Sequence, residues 1–255
     1  MTLEGLLELL RESILNDRTD RTSGSSDYLW TDKTLVTYIN EAQRKFAVGA
    51  LCLRDATTAE VCRITLAEGQ AVYPVHKSVL SVMSAKRPEF EGDILRVGHS
   101  LFSQFRGPGE RWYDPNTYNS LPAGAPVAFS TDEAVNDIDG DSFEQISLRV
   151  YPAPSAALAG KTIQLRVIRK PIEPLTINAP QATPEIPEDH HIEMLDWAAY
   201  LALRIVDDDA GSPARAREFA ASFEASVTRG RKAAMRKMFA PTGWGFGRGG
   251  FSWDN

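Results

Sequence analysis

Residues whose types could do chemistry occur in several clusters, and each can be tested against the spacing its chemistry needs. Gly98-His99-Ser100-Leu101 follows the apolar run Ile94 to Val97, as a serine nucleophile follows its strand. A nucleophile elbow needs a second glycine two residues after the serine so that the sharp turn can pass, and Phe102 stands there. The strand–helix alternation of an α/β hydrolase is also missing, so Ser100 reads as a strand-to-loop turn. Asp137, Asp139 and Asp141 around Gly140 have the composition of part of a calcium loop. With Gly140 at the sixth position, Val135 falls first and Ile146 twelfth, and neither can coordinate. His190 and His191 share a predicted helix with Asp207, Asp208 and Asp209, but at 1.5 Å per residue the two groups lie about 25 Å apart. The sequence therefore predicts no catalytic residue, no metal and no cofactor.

Two other clusters have binding chemistry. Arg229, Arg231, Lys232, Arg236 and Lys237, with Arg248 beyond them, form a positive run with no acid from residue 229 to 248. Near a helix C-terminus such cations complement the negative end of the dipole; they equally suit a docking surface for an acidic partner or for phosphates. The tail from Pro241 to Asn255 carries Trp244, Phe246, Phe251 and Trp253 among Gly243, Gly245, Gly247, Gly249 and Gly250. Large aromatics on so glycine-rich a segment cannot build a core and are costly to leave in water, so a groove on another chain is their expected place.

The elements that must position these clusters are read from periodicity. The stretch from Ile186 to Ala240 reads as an antiparallel pair of helices. Ile192, Leu195, Ala199, Leu203 and Val206 line one face of the first, and Ala216, Phe219, Ala220, Phe223, Val227 and Ala234 one side of the second. Gly211 supplies a stop, and Ser212-Pro213 reads as an N-cap followed by a first-turn proline. At the other end, Leu3, Leu6, Leu7, Leu10 and Ile14 predict one helix, and Val36, Ile39, Ala42, Phe46 and Ala50 predict another, capped by Thr31 or Asp32. The middle, from Val61 to Ile177, is strand-rich, with short apolar runs at Val61–Leu66, Ala71–Val75, Val79–Met83 and Ile94–Val97. Two clearer strands, at 143–151 and 162–169, are expected to be antiparallel neighbours joined by a loop from Pro152 to Gly160. Gly98 to Gly124 reads as a long surface loop. Pro171, Pro174, Pro180, Pro184 and Pro187 mark an extended connector back to the helices.

Totals limit the function further. A net charge of −6 argues against a protein that grips nucleic acid over its whole surface, while leaving room for a local basic patch. Cys52 and Cys62 are too few for a disulfide framework or a zinc site, which suits a reducing cytoplasm. The first residues are amphipathic and acidic, unlike a signal peptide, and no apolar run reaches the ~18 residues of a membrane span. The expected fold class is α+β: a helical bundle built from N- and C-terminal helix pairs, with a β-rich insertion and an extended C-terminal arm. The expected division is a helical domain from 1–55 and 186–240, the insertion and connector at 56–185, and the arm at 241–255.

Several pieces occur in a telling order. Leu29-Trp30-Thr31-Asp32 opens a helix containing Tyr38-Ile39-Asn40-Glu41-Ala42; Tyr151-Pro152-Ala153-Pro154 precedes a strand closing on Arg169-Lys170-Pro171. Ile186-Pro187-Glu188-Asp189-His190-His191 then leads into a helix with Leu195, Trp197-Ala198-Ala199-Tyr200, Ala202 and Asp207. Over residues 28–50 and 143–230 this succession resembles the head-to-tail adaptor (connector, or head-completion) proteins of tailed bacteriophages, particularly those of short-tailed phages. The resemblance implies a virion structural protein at the head–tail junction, made in the host cytoplasm and without a catalytic step. It implies a dodecameric ring of this chain beneath the portal protein, with the tail nozzle or tail tube protein on the opposite face. It also implies that DNA passes through the bore without specific binding and that no membrane is involved. The helices at 189–209 and 213–238 would form the ring wall. Trp244, Phe246, Arg248, Phe251 and Trp253, with the positive run, would contact the partner. A second reading is a tail-associated β module binding a receptor or surface glycan, with Trp112, Tyr113 and Tyr118 as its stacking platform.

Overall fold

A computed structural model of the chain describes residues 1–17, 28–87, 93–97, 123–131, 146–204 and 213–238. Its helices begin where side chains can take up free backbone N–H groups. Thr2 caps α1 (Leu3–Leu9), its hydroxyl accepting from the Gly5 N–H at 3.4 Å. The helix runs on into a π-helical turn, Leu10–Leu15, which ends at Asn16 in the left-handed conformation with φ 57°. Leu3, Leu6 and Leu10 are fully buried, so the leucine stripe does face a core. Thr31 caps α2 (Asp32–Ala50) by accepting from the Thr34 N–H at 3.2 Å. A short α3 (Ala59–Cys62) follows, and the C-terminal half adds α4 (Leu195–Leu203) and α5 (Pro213–Met238), with Pro213 in the first turn as expected.

Helices α2, α4 and α5 pack on one another, and with α1 they enclose one apolar cluster that includes Leu6, Ile39, Phe46, Leu195 and Phe223. The expected contact between 32–50 and 189–238 is therefore present. The α2–α5 crossing is close because it runs over glycines. A Cβ on Gly49 would sit 2.5 Å from Val227 Cγ1, and one on Gly230 would sit 3.2 Å from Ala50 Cβ. Gly49→Leu should therefore lower stability by about 1–3 kcal/mol or more, as overpacking does, and Val227→Ala should restore part of the loss in a thermal melt.

The sheet has eight strands among the described residues: β1 (Arg54–Asp55), β2 (Arg63–Thr65), β3 (Val72–Pro74), β4 (Val79–Lys86), β5 (Asp93–Arg96), β6 (Ala128–Ser130), β7 (Ser147–Tyr151) and β8 (Thr162–Arg169). Their order is β1-β8-β4-β5-β6-β7-β3, with β2 also pairing β8; only β5 and β6 run parallel. The expected pairing of 143–151 with 162–169 is incorrect. β7 lies between β6 and β3, whereas β8 lies between β4 and the β1/β2 edge. The segment joining them is drawn onto residues 66–69 instead of closing a hairpin: Gly69 N–H donates to Pro154 O, Gly160 N–H to Leu66 O and Leu66 N–H to Lys161 O. That crossing delivers β8 to β2 and leaves β7 to β3.

The helical-bundle expectation is overturned as well: the chain is a mixed α/β protein in which the sheet is a principal component. The sheet builds its own apolar cluster around Val82, Phe129, Leu148, Ile163 and Leu165. Polar contacts bind the sheet and the connector that follows β8 to the helices. Asn40 on α2 exchanges two hydrogen bonds of 2.8 Å with the Leu175 backbone, and Gln43 Oε1 accepts from the Glu185 N–H at 2.9 Å. The Arg54 guanidinium donates to the Ala234 carbonyl of α5. Helical periodicity spans many residues and is easily read, whereas six of the eight strands are only two to five residues long and give little signal. No helix among the described residues is long and apolar enough to cross a membrane.

Candidate docking surface

Helix α5 carries the basic run, and its packing decides which way the cations point. Phe223, Gly230 and Ala234 are buried, so the intervening residues are turned outward. Arg229, Arg231, Lys232, Arg236 and Lys237 are all exposed. Arg229 is tied down: its Nη2 donates to Glu193 Oε1 at 3.0 Å and to Ser226 Oγ at 2.8 Å. Burial would raise the Glu193 carboxyl, but the bonds from His190 and Arg229 outweigh it and hold it below its ordinary value. The other four have no ion pair among the described residues, and Arg236 and Lys237 stand in the last turn, where the dipole favours them. The structure thus brings the cations together along one helix.

The remaining expected contact residues, Trp244, Phe246, Arg248, Phe251 and Trp253, lie outside the described residues. So do Ser100, Asp137, Asp139, Asp141, Asp207, Asp208, Asp209 and the glycan platform Trp112, Tyr113 and Tyr118. His190 Nδ1 lies 2.7 Å from Glu193 Oε2, and its ring packs 4.7 Å from that of Phe46. His191 is buried, with Nε2 2.9 Å from the Ile186 carbonyl. Among the described residues no group of three or more His, Cys, Asp or Glu side chains is arranged to hold a metal ion. Burial pushes the thiols of Cys52 and Cys62 up to about 11, so neither is a thiolate nucleophile at neutral pH.

Sequence reading missed a buried ionic junction where β1, β8 and the connector meet. Arg169 Nε donates to Asp55 Oδ2 at 2.7 Å, and its Nη1 donates to Glu185. The side chains of Asp55 and Arg169 are 5% and 13% exposed, so this is an interior pair. Burial would raise the Asp55 carboxyl; bonds from the Thr58 hydroxyl, the Thr57 and Thr58 amides and Arg169 overcome that and hold it well below the usual carboxylate range. Nothing in the spacing of Asp55, Arg169 and Glu185 signals the junction, because only the strand pairing brings them together. A carboxyl with a depressed folded pKa stabilises the fold above its unfolded value and loses that contribution as pH falls through the folded one. Asp55→Asn should cost about 3–5 kcal/mol near neutrality by leaving Arg169 short of a partner. Denaturant melts should show the gap to the parent narrowing as pH falls below 3.8.

The exposed cations along α5 give the chain a surface suited to docking. A family model described as SU10 adaptor protein matches residues 1–244. The chain belongs to the SU10 adaptor protein family. It is a phage adaptor, the kind of protein its order of motifs resembles, and a structural protein rather than a member of an enzyme family. The family match takes in all of α1 to α5, all eight strands and Trp244 of the tail, and stops short of Phe246, Arg248, Phe251 and Trp253. No curated protein matches the chain.

Proposed function

We propose that this adaptor assembles as a dodecameric ring beneath the portal protein and joins it to the tail nozzle or tail tube protein, at the head–tail junction of the virion. The observation that carries the reading is the family match over residues 1–244. In this assembly the helix-rich segments 1–55 and 186–240 form the wall, 56–185 contributes the sheet and connector, and 241–255 acts as an arm. Trp244, Phe246, Phe251 and Trp253 supply its buried contact. Arg248 with Arg229, Arg231, Lys232, Arg236 and Lys237 steers it toward an acidic rim, a contribution that weakens with salt. The outward placement of the α5 cations supports this role. Genome DNA passes through the bore; a net charge of −6 suits passage without firm phosphate contacts.

Images of the purified chain mixed with its portal protein test the reading. Rings of uniform size seated on the portal are the expected result. A monomer or trimer that ignores the portal and retains a glycan would overturn it.

A further inference from the structure

The sheet presents a cationic face that neither its fold nor the arm employs. In the β2–β8–β4 ladder, Arg63 and Lys86 both stand opposite Gln164, and Ser84 stands opposite Arg166. Cross-strand partners share a face, as do alternate residues along a strand, so Arg63, Lys86, Gln164 and Arg166 project together, all exposed. At strand spacings of about 4.8 Å and alternate-residue spacings of about 7 Å, the three cations form one compact cluster. A depression of about 190 Å³ opens beside Ser84, Lys86, Asp93, Gln164 and Arg166. None of the three cations has an ion-pair partner among the described residues, although the chain as a whole is acidic.

The complementary surface is on the same chain. Glu4 and Glu8 of α1 and Glu12 of the π-helical turn are all exposed, on the side away from buried Leu3, Leu6 and Leu10. Four-residue steps place successive carboxylates about 6 Å apart, against roughly 8–10 Å between the cations, a difference within the reach of flexible Arg and Lys side chains. Glu4 accepts a hydrogen bond from Gln181 at 2.8 Å, while Glu8 and Glu12 have no bonded partner among the described residues. The ridge belongs to the helical cluster and the cationic face to the sheet cluster, and no ion pair joins them within one copy.

We propose that the Glu4–Glu8–Glu12 ridge of one copy seats on the Arg63–Lys86–Arg166 face of the next, as the repeating contact between neighbours in the ring. The inference rests on the ring reading and names its subunit interface. A contact between two different patches is heterologous and repeats head to tail, which is the geometry that closes a ring. A protein partner fits this face better than a phosphate backbone does. Leu95, on β5 beside Lys86 of β4, is 58% exposed. A helix can cover that apolar side chain, whereas a phosphate chain would gain nothing from it.

Light scattering of the full chain at low salt, alone and with portal protein, tests the contact through charge reversal. R63E/R166E and E8K/E12K should each fold as the parent by circular dichroism and lose the ring species. An equal mixture of the two should regain it, because every interface then pairs opposite charges again. The neutral variants R63Q/R166Q and E8Q/E12Q serve if a reversal fails to fold, and each should form fewer rings than the parent. R231E/K232E, on α5, should form rings and lose only portal attachment. Rings formed by both reversal variants alone would overturn the contact and leave the ring reading intact. Rings formed by R63E/R166E together with lost retardation of duplex DNA would reassign the face to phosphate. A parent chain that never forms a ring, with or without portal, would overturn both readings.

Discussion

Phe223→Asp should unfold the helical part of the chain. Phe223 is fully buried on α5, with its ring centroid 5.9 Å from Phe46 on α2 and 5.2 Å from Trp197 on α4, so three helices converge on it. Lys45 Nζ lies 3.1 Å from the Trp197 ring centroid and 3.0 Å from Glu224 Oε1, closing the cluster toward solvent. Removing the ring alone costs about 3–5 kcal/mol. Placing a carboxylate there adds several kcal/mol more, since Lys45 already serves Glu224. The total approaches the whole stability of a typical domain, roughly 5–15 kcal/mol. Leu195→Asp, at another fully buried position of the same cluster, should act alike. A thermal melt followed by circular dichroism should show the helical signal lost at temperatures where the parent is folded. Parent-like melting of both variants would mean that these faces are not buried.

Removing residues 241–255 should produce the opposite pattern, with the fold kept and assembly lost. The segment carries five glycines, whose ordering costs about 1–2 kcal/mol of backbone freedom per residue, so it needs a large contact in return. Trp244, Phe246, Phe251 and Trp253 are the residue types that provide one. The truncated chain should melt within a few degrees of the parent, about what a change under 1 kcal/mol produces. It should also fail to appear on portal particles in sedimentation or images. Unfolding on truncation would place the tail in the chain's own core. Normal docking would remove the arm from the mechanism.

The helices were legible in the sequence and the sheet's connectivity was not, for a physical reason. A helix records its buried face locally: Thr31 caps α2, Val36, Ile39 and Phe46 line its inner side, and Pro213 opens α5. A strand records only its alternation, and its partner is fixed by other parts of the chain. β2, β3, β4, β5, β7 and β8 each fall on an expected apolar run, yet β7 and β8 do not pair, because Leu66 and Gly69 bind the intervening segment elsewhere. The π-helical turn at Leu10–Leu15 keeps the leucine stripe buried, so apolar spacing could not distinguish it from an α-helix. The positive run on α5 was readable as a list of charges. The cationic face of the sheet was not, since Arg63, Lys86 and Arg166 meet only through strand register.

The central position of β8 also bears on how the chain is made. β8 is the sheet partner of β1 and β2 on one side and of β4 on the other, and all three are synthesised well before it. Until Thr162–Arg169 emerges from the ribosome, those strands keep open backbone edges, the kind that pair with other chains. A nascent chain therefore spends most of its translation with the sheet unfinished. Its final third, through Arg169 and the connector bound to α2, both completes the sheet and fastens it to the helices. A product terminated ahead of Thr162 should aggregate or enter degradation instead of persisting as a soluble fragment. Incorporation into virions would then be restricted to chains whose synthesis had passed that point.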